Sequence, residues 1–186
     1  MGITNDLFRH EATAEADSKR LQPCDAKPDP EDVRDPRTGL RGIDQFENFL
    51  RFLAPPPRLS MNEGATRGEA LFGTIGCAAC HVAVLQTGAD LNPLFNRKPV
   101  HLFSDLLLHD IGTGDGIEQE AAKGEEVRTP SLWGLRFRRP LLHDGSASTI
   151  EKAIERHSGE ATAVHERFAN LPTEQQAEVL AFLKTL

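Results

Sequence analysis

The chain has 186 residues, 39% of them hydrophobic, which suffices for one packed domain with a sizeable extension. Its formal net charge of −7 argues against a nucleic-acid-binding protein, because such proteins present basic faces to the phosphates. No apolar run approaches the roughly 20 residues that a membrane-spanning helix needs, so no membrane span is predicted.

Residues 1–60 are predicted to form a connector with irregular structure and one helix. Its first part is polar, and four prolines fall between Pro23 and Pro36, a composition that does not sustain regular structure. A helix is predicted at about residues 43–53, and the prolines at 55–57 end it because proline cannot donate the backbone hydrogen bond. Five apolar side chains recur in this helix at helical spacing: Ile43, Phe46, Phe49, Leu50 and Leu53.

A second domain is predicted over residues 61–186, and it opens with a short amphipathic helix. Asn62 has the side chain and the position of an N-cap for this helix. Gly68 lies on the apolar side and could admit a close crossing by another helix.

The stretch Cys77-Ala78-Ala79-Cys80-His81 has the spacing of a c-type haem attachment site. Two thiols three residues apart can add to the two vinyl groups of one haem, and the next histidine is placed to ligate the iron. A zinc site usually takes two spaced pairs of ligands, but the only other cysteine is Cys24. A thioredoxin-like pair would follow a buried strand, whereas a helical pattern precedes Cys77. The stretch therefore predicts one covalent haem c on Cys77 and Cys80, with His81 as an iron ligand.

The region between His81 and Ser148 is poor in helix signals and rich in proline and glycine. In a small haem domain, loops of this kind usually wrap the porphyrin. His109 and His143 lie here, each followed by an aspartate that could orient the imidazole towards a propionate or a water. Because histidine titrates near neutral pH, these two residues are the candidates for acid–base catalysis.

A further helix is predicted to begin at about Thr149, in a segment with the form of a capping box. His157 would lie on the apolar stripe of this helix, together with Ala153 and Ile154. A histidine on such a stripe is usually an ordinary core residue, but in a haem protein the stripe must face an apolar group that contains iron. His157 is therefore predicted to be the second iron ligand, opposite His81.

Other residues are weaker ligand candidates. Met61 lies before the first helix of the domain, only sixteen residues before Cys77. Small electron-carrier cytochromes usually use methionine as the second iron ligand, so the scarcity of methionine in this chain is informative. The three remaining histidines carry no comparable pattern and are expected to be surface or structural residues: His10, His101 and His165.

The chain is predicted to end in a second core helix. Thr173 and Gln176 resemble a capping box at its start. Its apolar stripe consists of Val179, Phe182, Leu183 and Leu186. With the helix that leads into the cysteine motif, it suggests an all-α, cytochrome c-like haem domain with long loops, although two core helices occur in any α-helical domain.

The motifs, in this order, resemble the bacterial di-haem oxidoreductases often labelled thiol oxidoreductases, in the di-haem cytochrome c peroxidase and MauG superfamily. The resemblance covers about residues 62–186 and corresponds to the C-terminal haem domain of that family. The segments that carry it are 68–72, 77–81, 104–112, 128–135, 142–145 and 149–157.

The resemblance implies a cytochrome c fold with His81 as the proximal ligand and His157 at the position where the peroxidases place a distal methionine. It also implies that Trp133 and His143 line the haem, although Trp133 could equally be a core or interface aromatic. Relatives carry a second haem motif in an N-terminal domain, and several pair cysteines in the connector. This chain has one motif and only Cys24 there.

Three functions stay open at this point. The first is an electron-transfer domain with one covalent haem, which exchanges electrons with a redox partner protein or a second haem domain. The second is a peroxidase-type oxidoreductase that acts on peroxide or an oxidisable substrate together with an N-terminal haem domain. The third is a non-haem module with structural or redox-active cysteines. Because bacteria attach c-type haem outside the cytoplasm and this chain shows no signal peptide, we expect a periplasmic or otherwise exported protein cut from a longer precursor.

Overall fold

The computed structural model describes residues 32–118 and 121–186, together with residues 19, 22 and 23. Its contacts divide the chain into two compact units, one of Met1–Pro55 with Gly116–Gly124 and one of Pro56–Asp115 with Glu125–Leu186. The predicted boundary between residues 60 and 61 stays a prediction. In the described part of the chain, no helix is both long and apolar enough to cross a membrane. Two residues named above, His10 and Cys24, lie outside the described residues.

The prediction of an all-α fold is wrong, because the described residues form a mixed α/β structure. They contain five α-helices and two small antiparallel sheets of two strands each. The helices are α1 (Gly42–Phe52), α2 (Glu63–Thr74), α3 (Ile150–Glu155), α4 (Thr162–Ala169) and α5 (Thr173–Leu183). The strands are β1 (Leu85–Gln86), β2 (Pro99–Val100), β3 (Leu108–Asp110) and β4 (Glu126–Arg128).

Both sheets lie in the region that the sequence suggested to be loops. In the first sheet Leu85 is paired with Val100, and in the second His109 is paired with Val127. Strands of two or three residues satisfy their backbone N–H and C=O groups by pairing across the loop. They are too short to show the alternation by which a strand is recognised from sequence, which explains why they were not predicted.

Helix α1, in the first unit, closely matches the helix predicted at 43–53. It starts from Arg41, whose backbone N–H donates to Asp44 at 2.9 Å while its guanidinium pairs with the same carboxylate at 2.8 Å. The predicted apolar face is exposed in the described residues, with Phe49 60% exposed and Phe46 53% exposed.

Helices α2 and α5 cross closely at Gly68, as the sequence suggested. A Cβ atom on Gly68 would lie 1.9 Å from the backbone oxygen of Glu178, so only glycine fits this crossing. Asn62 caps α2, because its side-chain oxygen accepts a hydrogen bond from Ala65 N at 2.8 Å. At this crossing the rings of Phe72 and Phe182 pack together in the core, with 5.3 Å between their centroids.

Helix α5 buries three residues of its predicted apolar stripe, and the fourth, Leu186, is buried just beyond the end of the helix. The predicted cap of the helix is wrong. Its N-cap is Pro172, which has no side chain able to accept a hydrogen bond. Gln176 instead donates through Nε2 to the carbonyl oxygens of Ala169 and Leu171, and so fastens the loop between α4 and α5. The predicted capping box does not form, because the Gln176 side-chain amide donates to these two carbonyl groups instead.

Candidate functional site

The cysteine motif forms a tight turn directly after α2. Gly76 follows the helix with φ of 99°, a left-handed conformation that glycine adopts without strain. Residues Cys77–Ala79 then form one 3₁₀ turn, and the His81 N–H donates to Cys77 O at 3.0 Å. The turn thus gathers Cys77, Cys80 and His81 into one short piece of backbone at the end of a core helix.

His81 is held by a single backbone hydrogen bond through one side of its ring. Its Nδ1 lies 3.0 Å from the carbonyl oxygen of Phe103, so Nδ1 carries the proton and donates it to that oxygen. The Phe72 ring lies beside it, with 6.2 Å between the ring centroids. Burial lowers the pKa of His81, so the imidazole is neutral and keeps a lone pair on Nε2.

His157 repeats this arrangement, although it does not lie within a helix as predicted. Helix α3 starts at the predicted cap, Thr149, but ends at Glu155, with Arg156 as its C-cap. The chain leaves the helical path there because the Ser158 N–H donates to the Ile111 carbonyl, 3.0 Å away on another segment. His157 is therefore in the turn after the helix, half-buried rather than on a buried helical stripe.

The His157 ring folds back over the last turn of α3. Its Nδ1 lies 2.6 Å from the carbonyl oxygen of Ala153 and donates to it. Burial lowers the pKa of His157, and the neighbouring His165 lowers it further. In the described part of the chain, no hydrogen bond is made by Nε2 of either His157 or His81.

His157 acts electrostatically on His81, because it lowers the pKa of His81 further after the larger effect of burial. Ala153, whose carbonyl group accepts the His157 hydrogen bond, packs against the main core, as do Ile154 and Leu142. Two neutral imidazoles, each with a free Nε2 atom, have the donor chemistry that a haem iron would need from these residues.

The two thiols of the motif are free and half-buried. Burial raises the pKa of Cys77 to about 11, although the Arg167 cation acts in the opposite direction. Burial also raises the pKa of Cys80, to which the carboxylates of Asp105 and Glu160 contribute. Both sulfurs are therefore protonated thiols at neutral pH in the haem-free chain.

His109 has partners that differ from the one suggested by its sequence neighbour Asp110. Its Nε2 lies 2.9 Å from Asp105 Oδ2, and its Nδ1 lies 2.9 Å from Glu160 Oε2. Glu160 first, and Asp105 second, raise the pKa of His109, which favours the doubly protonated ring. Sequence reasoning missed both carboxylates. Glu160 lies 51 residues away in the chain, and Asp105, although only four residues away, was passed over because Asp110 is adjacent to His109.

His143 and Trp133 occupy separate positions. His143 Nε2 lies 3.7 Å from Asp115, and its side chain is 30% exposed. Trp133 is half-buried and donates from its indole nitrogen to the carbonyl oxygen of His101. Neither side chain is hydrogen-bonded to His81 or His157 in the described residues, so their predicted contact with haem stays a prediction.

Comparisons with known proteins identify the family. A family model described as "Di-haem oxidoreductase, putative peroxidase" matches residues 1–186. The methylamine utilization protein MauG of Methylorubrum extorquens is 30% identical over 137 residues, and the match covers 66% of this chain and 34% of that protein. Cytochrome c551 peroxidase of Nitrosomonas europaea is 25% identical over 127 residues, and the match covers 68% of this chain and 35% of that protein. The chain thus spans about a third of the length of these curated relatives.

A solved structure of hydrazine synthase from Kuenenia stuttgartiensis, pressurised with xenon, is also similar. It is 24% identical to this chain with a TM-score of 0.48, and the match covers 73% of this chain and 51% of that one.

Proposed function

The chain belongs to the di-haem oxidoreductase family and has a haem-based redox role, and we propose that this part of the protein binds one covalent haem and transfers electrons. The electrons would pass to a redox partner protein or to a second haem domain. The observation that carries the proposal is the common arrangement of His81 and His157. Each ring donates from Nδ1 to a backbone carbonyl and keeps Nε2 free.

Each residue of the motif has a separate task in this proposal. Cys77 and Cys80 would form the two thioether bonds, and bound haem would supply a one-electron iron couple. His81 and His157 would hold the iron through Nε2. The carbonyl groups of Phe103 and Ala153 fix the orientation of these rings and make Nε2 a better electron donor.

Ligation by two histidines favours electron transfer over chemistry at the iron. If His81 and His157 both held the iron, they would leave no position for peroxide to bind. Exchange of a methionine ligand for His157 should also lower the reduction potential, because methionine ligation raises it. We further propose that the protein works outside the cytoplasm, where bacteria attach c-type haem.

Peroxide reduction is the second candidate function, and the similarity to a cytochrome c551 peroxidase favours it. It would require an open iron site, here or on a second haem domain, and an acid–base group near it. His109 is poorly suited to that task, since carboxylates occupy both of its ring nitrogens. His143 is the better candidate of the two.

The two functions are distinguished by the haem-loaded chain, expressed with a c-haem maturation system and exported. We expect a low-spin ferric absorption spectrum and no peroxide turnover above that of free haem. A high-spin spectrum together with catalytic peroxide consumption would replace electron transfer by peroxidase chemistry.

A further inference from the structure

Two carboxylates and one imidazole join the segment beside the cysteine motif to the turn that carries His157. His109 Nε2 lies 2.9 Å from Asp105 Oδ2, and His109 Nδ1 lies 2.9 Å from Glu160 Oε2. We call this row of three side chains the His109 strap. We propose that His109 is a positioning residue, which holds the His157 turn against the segment of Asp105. The proposal deepens the function proposed above and rests on the role of His157 as an iron ligand.

One end of the His109 strap is fixed to the cysteine motif by the backbone. The Asp105 N–H donates to the Cys80 carbonyl oxygen at 2.8 Å. Asp105 Oδ1 accepts from the Leu107 N–H at 3.0 Å, which leaves Oδ2 to face His109. The contact with the motif does not use the Cys80 sulfur, so this end of the strap makes no demand on the atom that would form the thioether bond.

The other end of the His109 strap is fixed to the turn after α3. The Glu160 oxygen that does not face the imidazole, Oε1, accepts from the Asp110 N–H at 3.1 Å. The Ser158 N–H, directly after His157, donates to the Ile111 carbonyl oxygen at 3.0 Å. The turn that carries His157 is therefore joined to the segment of residues 109–111 on both sides of its own bend.

Two glycines allow these segments to lie directly against each other. A Cβ atom on Gly159 would lie 2.5 Å from the Asp110 carbonyl oxygen, and one on Gly112 would lie 1.8 Å from Ser158 Oγ. Both glycines have positive φ, at 54° and 72°. A side chain at either position would force the segments apart, so the local sequence supports the close contact that the strap spans.

The charges of the three side chains favour the same contact. Glu160 first, and Asp105 second, raise the pKa of His109. The hydrogen bond with His109 is in turn the largest of the effects that lower the pKa of Glu160. The doubly protonated ring can donate to both carboxylates at once, which a neutral ring cannot do.

The His109 strap and the Ala153 carbonyl group have different tasks. The Ala153 carbonyl orients the His157 ring within its own turn. The strap instead holds that whole turn against another part of the chain. Loss of the strap should therefore leave the haem-loaded protein low-spin at rest but let His157 leave the iron more often.

The test is the rate at which cyanide binds to the ferric, haem-loaded chain. Cyanide can bind only after His157 has left, so the observed rate should level off at high cyanide concentration. Glu160→Ala should raise this limiting rate by about 3- to 10-fold, the usual effect of losing one partly exposed charged pair. The Glu160 side chain is 58% exposed, so its removal leaves the core intact. Glu166→Ala is the matched control, because it removes the same charge from an exposed site on α4, and it should keep the parent rate.

His109→Asn tests the other half of the strap. The shorter amide can replace Nδ1 towards Glu160 but does not reach Asp105, so the limiting rate should rise here as well. In the double variant His109→Asn with Glu160→Ala the two effects should not add, because each substitution alone breaks the same row of hydrogen bonds.

The outcomes separate the strap from the function on which it rests. A parent-like limiting rate in both single variants, or an equal rise in Glu166→Ala, would overturn the strap and leave His157 as a ligand. A parent rate that grows linearly with cyanide and never levels off would mean an open iron. That result would contradict the proposed ligation, and the strap would be overturned with it.

Discussion

His81 and His157 come from distant parts of the chain and are oriented by the same backbone device. In both cases Nδ1 of the ring donates a hydrogen bond to a backbone carbonyl oxygen. The acceptor is Phe103 for His81 and Ala153 for His157. Because the acceptors are backbone atoms, the orientation of the rings depends on the fold rather than on another side chain. Substitution of neighbouring side chains should therefore leave the orientation of both rings largely intact.

The thioether bonds give a prediction at the same scale. Cys80→Ser should leave one covalent bond, from Cys77, because serine cannot add to a vinyl group under the same conditions. The reduced haem, measured as its pyridine complex, should then absorb at longer wavelength than in the parent, since one vinyl group stays conjugated with the ring. Cys24→Ser is the matched control and should leave the band in place. A parent-like band in Cys80→Ser would exclude Cys80 as an attachment residue.

Among the elements, the crossing of α2 and α5 depends on one glycine. Gly68→Ala should destabilise the protein by about 1–3 kcal/mol, because the added methyl group would overlap the backbone oxygen of Glu178 and force the helices apart. Gly73 lies on the same helix, with no atom near its Cβ position. Gly73→Ala should therefore stabilise by about 0.5–1 kcal/mol through helix propensity. Denaturant unfolding of the haem-loaded chain, followed by circular dichroism, measures both, and similar effects of the two substitutions would contradict the close crossing.

The elements also show which features a sequence can reveal. The caps at Asn62 and Thr149 are local, because the capping side chain and the N–H group it binds are three residues apart, and both were predicted. The end of α3 was not predicted, because it depends on a hydrogen bond from Ser158 to the distant residue Ile111. The four short strands were missed for the same reason, since their partners are supplied by the tertiary fold.

The same distinction applies to the candidate site. The spacing of Cys77, Cys80 and His81 is a local chemical pattern and could be recognised directly. Of the two carboxylate partners of His109, Glu160 comes from a segment that meets His109 only in the folded chain, so no sequence pattern predicts this pair. Asp110, the adjacent acid, was the natural choice from sequence and does not pair with the imidazole in the described residues.

At the scale of the whole molecule, the sequence contains one haem motif while the family is di-haem. The exported chain should therefore gain the mass of a single haem under denaturing conditions, because only Cys77 and Cys80 have the attachment spacing. Intact-protein mass spectrometry measures this directly. A mass increase of two haems would show that a second attachment site exists outside the motif.

The central claim is that His81 and His157 together ligate the iron, and electron paramagnetic resonance of the ferric protein tests it most directly. The parent should give a low-spin signal, and His157→Ala should give a high-spin signal because the iron loses one nitrogen ligand. His143→Ala serves as the control and should keep the parent signal. A low-spin signal that is unchanged in His157→Ala would contradict the assignment and show that another residue is the distal ligand.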